Sequence, residues 1–224
     1  MSTTTANIST PTMTDTALLT LTQWLSPAFP TGAFAYSHGL EAVIAAGTVQ
    51  DAAGLEIWLS GVLRLGAGWQ DAVLLAAALR PGADFEALDT LARALAPSAE
   101  RLQETVDQGA ALARTVTGIT GRALPGRALP VALGEATAPL GLAPGTVIAL
   151  FLQGFASNLA TVATRHVPLG QTEGQAVLAR LAPVIADLAE KAAGSTLDDL
   201  GSAALAADLA AMQHETQTVR IFRT

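Results

Sequence analysis

The 224-residue sequence predicts an all-α fold, a single helical-bundle domain of about ten helices.

 Three observations predict it. Apolar residues recur at helical spacing along nearly the whole chain, and no segment alternates apolar and polar residues long enough to make a strand. Half of the residues are apolar but only 4% are aromatic, so the core rests on Ala, Leu and Val, which suits closely packed helices better than a sheet. Gly and Pro punctuate the connections, at Pro81-Gly82, Pro125-Gly126, Leu140-Gly141 and Gly194-Ser195. The length fits one domain with a large core.

The elements follow in order. Residues 1–14 are rich in Thr and Ser, with no basic or apolar run, and read as a disordered leader rather than a signal or transit peptide. The sequon at Asn7 is then without consequence. A domain spanning 15–212 begins with helices expected at 15–25 and 36–46. Asp51 reads as the N-cap of a helix whose stripe is Leu55, Trp58, Leu59, Val62 and Leu63, with Glu56, Ser60 and Arg64 facing away. Short helices are expected at 70–79 and 85–95. A longer one at 99–117 would place Leu102, Val106, Gly109, Ala113 and Val116 on its inner side, and the irregular, basic stretch 118–127 would be an exposed loop. After a helix at 130–138, the helix opened by Pro144 lines up Ile148, Phe151, Leu152, Phe155, Leu159 and Val162. The next buries Val177, Leu178, Leu181, Val184, Ile185 and Leu188, and Pro183 is expected to kink or restart it. A last helix is expected at 203–212, before a tail at 213–224.

The uncharged stretch 136–164 is long enough to span a bilayer. Pro139, Gly141, Pro144 and Gly145 break its first part, and Gln153, Ser157 and Thr161 draw a polar line along the rest, so a buried core helix is the expectation and no membrane partner is expected. The balance of 19 acidic against 12 basic residues, a formal charge of −7, gives no reason to coat nucleic acid. Without cysteine there is no disulfide and no thiolate metal site.

Catalytic signatures are absent from the sequence. No Gly-rich loop ends in Lys-Ser or Lys-Thr, and Gly-x-Ser-x-Gly does not occur. Ser37 and His38, adjacent on an expected helix, make a poor nucleophile–base pair. Thr218 stands where a zinc-protease motif begun by His214-Glu215 needs its second histidine. The alternative to a non-enzymatic protein is a helical one that itself binds a metal ion through His38, His166 and His214.

Three segments carry more local detail than a helical core needs. In the first, at 26–41, Pro27 stops a helix and Pro30 and Gly32 shape a turn before a new helix near Ala35 or Tyr36. In the second, at 165–175, Arg165 ends an uncharged helix and needs an acceptor, and Pro168-Leu169-Gly170 turns into a helix begun near Gln171 or Thr172. The third is the tail, where Arg220 and Arg223 bracket Ile221 and Phe222. It has two readings, a terminus docked on its own domain or an anchor for another protein.

Together these segments resemble the UreF family of urease accessory proteins. The pieces are SPAFPTGAFAYSHGLE at 26–41, ETVDQGAAL at 104–112, ATRHVPLGQTEGQ at 163–175, LDDLGS at 197–202 and MQHETQTVRIFRT at 212–224, in that order. The resemblance implies an all-helical, cytoplasmic maturation adaptor that dimerises and has no cofactor of its own. It would bridge UreD/UreH and the GTPase UreG, so that nickel is inserted into apo-urease. Carried residue by residue, it assigns partner binding to His214, Glu215, Arg220, Phe222 and Arg223. Pro27, Pro30, Gly32, Ser37, Gly39 and Glu41 match the first corner, and Arg165, Pro168, Gln171 and Gln175 the second. The family often has an aromatic residue and a Ser where Thr218 and Val219 stand, and a Pro near Leu205, which touches the tail's detailed contacts. The tail is expected to be loosely held alone and ordered by its partner.

Overall fold

Helical periodicity resolves into ten α-helices and three short 3-10 turns in the computed structural model, which describes residues 13–223 and has no strand among them. The helices are α1 (Met13–Trp24), α2 (Leu40–Ala45), α3 (Ala52–Leu65), α4 (Ala67–Ala78), α5 (Phe85–Ala94), α6 (Ala99–Thr120), α7 (Leu129–Thr137), α8 (Pro144–His166), α9 (Gln171–Gly194) and α10 (Leu205–His214). Of the expected leader, residues 1–12 lie outside the described residues, while Met13 and Thr14 form the first turn of α1.

The apolar stripes of α8 and α9 pack the two helices against each other across the corner at 167–170, and this pair is the centre of the domain. α3 and α4 cover α9, while α2 and α4 lie along α8. Leu55, Leu59, Leu63, Leu75, Ile148, Leu152, Leu159 and Leu181 make up much of the resulting core. A smaller cluster of Leu74, Ala78, Leu88, Ala92 and Val131 joins α4, α5 and α7. α8 is long and apolar enough to cross a bilayer, and half of its apolar window is buried in the protein.

Local chemistry sets the boundaries. Asp51 caps α3 by accepting the Gly54 N–H at 2.8 Å, as the sequence predicts. Pro183 neither ends nor restarts α9, which is continuous from Gln171 to Gly194. Pro183 and Ala179 are both exposed, so the carbonyl deprived of its helical donor faces water. The loop after α6 is not free: the Arg122 guanidinium donates to the carbonyls of Glu135 and Ala136, and Arg127 bonds Glu86 and Glu135.

Two expectations are corrected here. The helix placed near Ala35 or Tyr36 starts at Leu40, because His38 (φ 54°) and Gly39 (φ 73°) are left-handed and break the preceding segment into a 3-10 turn and an extended stretch. In α6, the first half does not turn Leu102 and Val106 inward. It buries Arg101, Glu104 and Gln108, a polar stripe at i, i+3 and i+7, and leaves Leu102 exposed. A buried ion cluster supplies the reason.

A candidate protein interface at the C-terminal tail

Gly39 allows α2 and α10 to meet. A Cβ there would stand 2.7 Å from the backbone nitrogen of Ala211, so only glycine suits both this approach and the positive φ. The approach brings His214, on the last turn of α10, over Glu41 on the first turn of α2. The N-terminus of a helix favours an anion, which suits the Glu41 carboxylate at the start of α2.

The buried His214 ring lies between two carboxylates. Its Nε2 is 3.1 Å from Glu41 Oε2 and its Nδ1 is 2.7 Å from Glu100 Oε2. Glu41 also accepts the tail's backbone: the Ile221 N–H donates to Oε1 at 2.8 Å and the Phe222 N–H to Oε2 at 2.9 Å. Burial alone would raise the pKa of Glu41, but the amides of Phe222 and Ile221, with His214, outweigh it and hold the pKa below its ordinary value. Arg220 pairs with the other oxygen of Glu100, and Glu215 accepts the Glu100 N–H at 3.2 Å. Phe222 is buried with its ring edge-on to His166, centroids 5.2 Å apart, and the Arg223 N–H donates to the Ala35 carbonyl at 2.8 Å.

The tail is therefore held against its own domain through Arg223, contrary to the expectation that it is loose alone; Thr224 lies outside the described residues. The physical reason is that Glu41 meets two amide donors that a free tail would leave to water. Ser37, fully buried, steadies the same place by accepting the Glu41 N–H at 3.3 Å.

The other singled-out residues lie apart from this latch. Pro27 and Pro30 are exposed on the loop after α1, and Gly32 (φ 78°) caps the 3-10 turn Ala33–Ala35. At the α8–α9 corner Pro168 and Gln175 are exposed, and Gln171 opens α9 with its side chain on Thr164 Oγ1 at 3.3 Å. Arg165 is exposed, and the acceptor expected for it is not among the described residues. It lines a cavity of about 330 Å³ with Trp24, Phe34, Leu133 and Phe151. Beyond exposed Phe34 lies a second, open groove with Tyr36, Asp107, Arg114 and Arg223 on its walls.

Sequence reasoning missed the buried cluster behind the latch. Glu104 Oε1 is 2.6 Å from His38 Nε2, and Glu104 also pairs with Arg101. Burial raises the pKa of Glu104, yet Arg101 and then His38 overcome it and bring it down to about 2. The usable signal was in residues 104–112, where Glu104 and Gln108 stand one helical turn apart and bond each other at 3.0 Å. Ser37 and His38 do not share a helix, so the helix-neighbour reason against a catalytic pair does not apply. His38 is instead committed to Glu104, Arg101 and the edge of Phe155. His38, His166 and His214 have separate surroundings, and no group of three or more His, Asp and Glu among the described residues is arranged to hold a metal ion.

Comparison with known proteins gives one family. A sequence profile described as UreF matches residues 49–182. A urease accessory protein UreF of Cereibacter sphaeroides is 65% identical over 208 residues, covering 93% of this chain and 99% of that protein. The protein of the same name from Paracoccus denitrificans is 51% identical over 94% of this chain and 97% of its own length. That from Roseobacter denitrificans is 49% identical over 95% and 96%.

Proposed function

The chain belongs to the UreF family of urease accessory proteins, and on that premise we propose that it is a non-enzymatic adaptor which bridges UreD/UreH and the GTPase UreG for insertion of nickel into apo-urease. The observation that carries this reading is the exposed apolar surface at the latched tail. Leu205, Leu209 and Met212 form an i, i+4, i+7 stripe on α10 that faces outward, and the tail adds Val219 and Ile221, 80% and 73% exposed. A latch that orders these side chains reduces the entropy a partner must remove on binding. His214, Glu215, Arg220, Phe222 and Arg223 then act in two ways: His214, Arg220 and Phe222 hold the surface in shape, and Glu215 and Arg223 stand at its polar rim.

UreD/UreH is the partner assigned to this face. The reading includes a cytoplasmic homodimer, with nickel as cargo rather than as a resident ion. The test is co-expression with UreD/UreH and UreG followed by mass measurement of the purified complex. Deleting residues 213–224 should leave a folded helical protein that no longer captures UreD/UreH. Capture at full strength by the truncated chain would refute the assignment of the tail.

A further inference from the structure

Both ring nitrogens of His214 face carboxylate oxygens, and the ring is fully buried. A neutral imidazole has one N–H and one lone pair, so it can satisfy only one of two ionised carboxylates. The other nitrogen would direct its lone pair at an oxygen lone pair with no water between them. The imidazolium satisfies both.

The charged groups around the ring support that state. Glu41 approaches from α2, Glu100 from the first turn of α6, and Arg220 from the tail, paired with Glu100. Glu215, the next residue along, is occupied with the Glu100 N–H. On the far side of the same turn of α6, Arg101 is engaged with Glu104 and His38. With His214 protonated, Glu41, His214, Glu100 and Arg220 sum to zero charge. Without that proton they sum to −1 around a fully buried ring.

We propose that His214 is a proton-dependent pin for the C-terminal tail: protonated, it joins Glu41 to Glu100 and holds the tail down, and on losing its proton it releases residues 215–223. Glu41 is the element that transmits the change, because the carboxylate facing His214 is also the acceptor for the Ile221 and Phe222 amides. Protonation favours the latched state, so latching is complete on the acid side of the imidazole titration and weakens as pH rises through it. The pin is a property of this chain alone; its use to regulate partner capture rests on the function proposed above.

Hydrogen–deuterium exchange of the full chain reads the pin directly. Protection at Ile221 and Phe222, corrected for intrinsic exchange, is followed from about pH 5 to about pH 8, the span in which an imidazole ordinarily changes charge, and onward to alkaline pH. The expected result is protection that falls by up to about tenfold per pH unit on the alkaline side, the slope of a single proton. Amides in α8 and α9 should hold steady. In His214→Gln, which cannot titrate, the slope at the tail should vanish. Nitrogen NMR of the wild-type ring gives a second reading that needs no variant, with His214 doubly protonated while the tail is protected. Flat tail protection across the range, or loss of the ring proton with no change in the tail, would overturn the proposal. Capture of UreD/UreH is measured separately at both ends of the range. Failure of capture while protection still follows pH supports the pin and counts against the partner reading.

Discussion

Replacing Glu41 by Gln changes one oxygen into an amino group and should unfasten the tail while leaving the domain folded. The Glu41 carboxylate accepts from two backbone amides at 2.8 and 2.9 Å and faces the His214 ring at 3.1 Å. Hydrogen bonds to a charged group contribute about 1.5–3 kcal/mol each. Gln keeps one oxygen, which retains one amide as a neutral bond, but it turns an NH₂ group toward the other amide or toward the ring. The charge opposite His214 is also lost, so the latched state should be weakened by about 3–5 kcal/mol. Tail opening is local, so this loss appears as faster exchange at Ile221 and Phe222, by roughly two to four decades, rather than as an equal fall in global stability.

The assay is hydrogen–deuterium exchange of wild type and Glu41→Gln at about pH 7, with urea denaturation as the control for the fold. Protection at both tail amides within about threefold of wild type would refute the reasoning, because a main anchor worth several kcal/mol cannot be removed so quietly. Acid supplies an independent check. The Glu41 pKa lies below its ordinary value, so the carboxylate contributes stability above that value and loses the contribution as pH falls through the depressed one. The wild-type tail should therefore open in acid, and Glu41→Gln should lack that transition.

Three further outcomes are expected. Gly39→Ala should destabilise the fold by about 2–4 kcal/mol, seen as a lower urea midpoint, since the new Cβ meets both a positive φ and the backbone of α10. Glu104→Gln should lower stability by about 3–5 kcal/mol by the same measure, because it leaves Arg101 and His38 buried without their carboxylate. Asp71 is pushed up from 3.8 to about 7 by burial, against the pull of Arg101 and with added repulsion from Glu104. Its folded state holds the proton more tightly, so stability falls as pH rises from the ordinary value to about 7. Asp71→Asn should remove that slope and exceed wild type by about 1–3 kcal/mol at about pH 8, read from urea midpoints at acid and alkaline pH.

Much of the fold was legible where burial is purely apolar. The stripes of α3, α8 and α9 repeat at helical spacing, and nearly all of their residues are buried as the period requires. α6 departed from its expected face because hydrophobic periodicity assigns charged residues to solvent, while Arg101 and Glu104 neutralise each other inside. The start of α2 was misplaced because a histidine at positive φ gives no local signal, unlike the glycine after it. At the tail, Phe222 between arginines was visible as unusual. The carboxylate that receives its backbone lies 181 positions away, and a backbone N–H looks the same at every residue.

The first turn of α6 explains why the tail and the core cluster belong to one device. Glu100 and Arg101 are consecutive, and on a helix consecutive side chains point about 100° apart. Glu100 faces the tail, where it takes His214 and Arg220, while Arg101 faces inward to Glu104 and His38. His38 in turn precedes Gly39, whose approach to α10 places His214 over Glu41. A shift of α6 by a fraction of a turn would break contacts on both sides, so the buried cluster fixes the height at which Glu100 meets the latch. That coupling gives the polar stripe of α6 a use that an apolar stripe lacks: van der Waals packing tolerates small slides, but charge-assisted bonds at 2.6 to 3.1 Å do not.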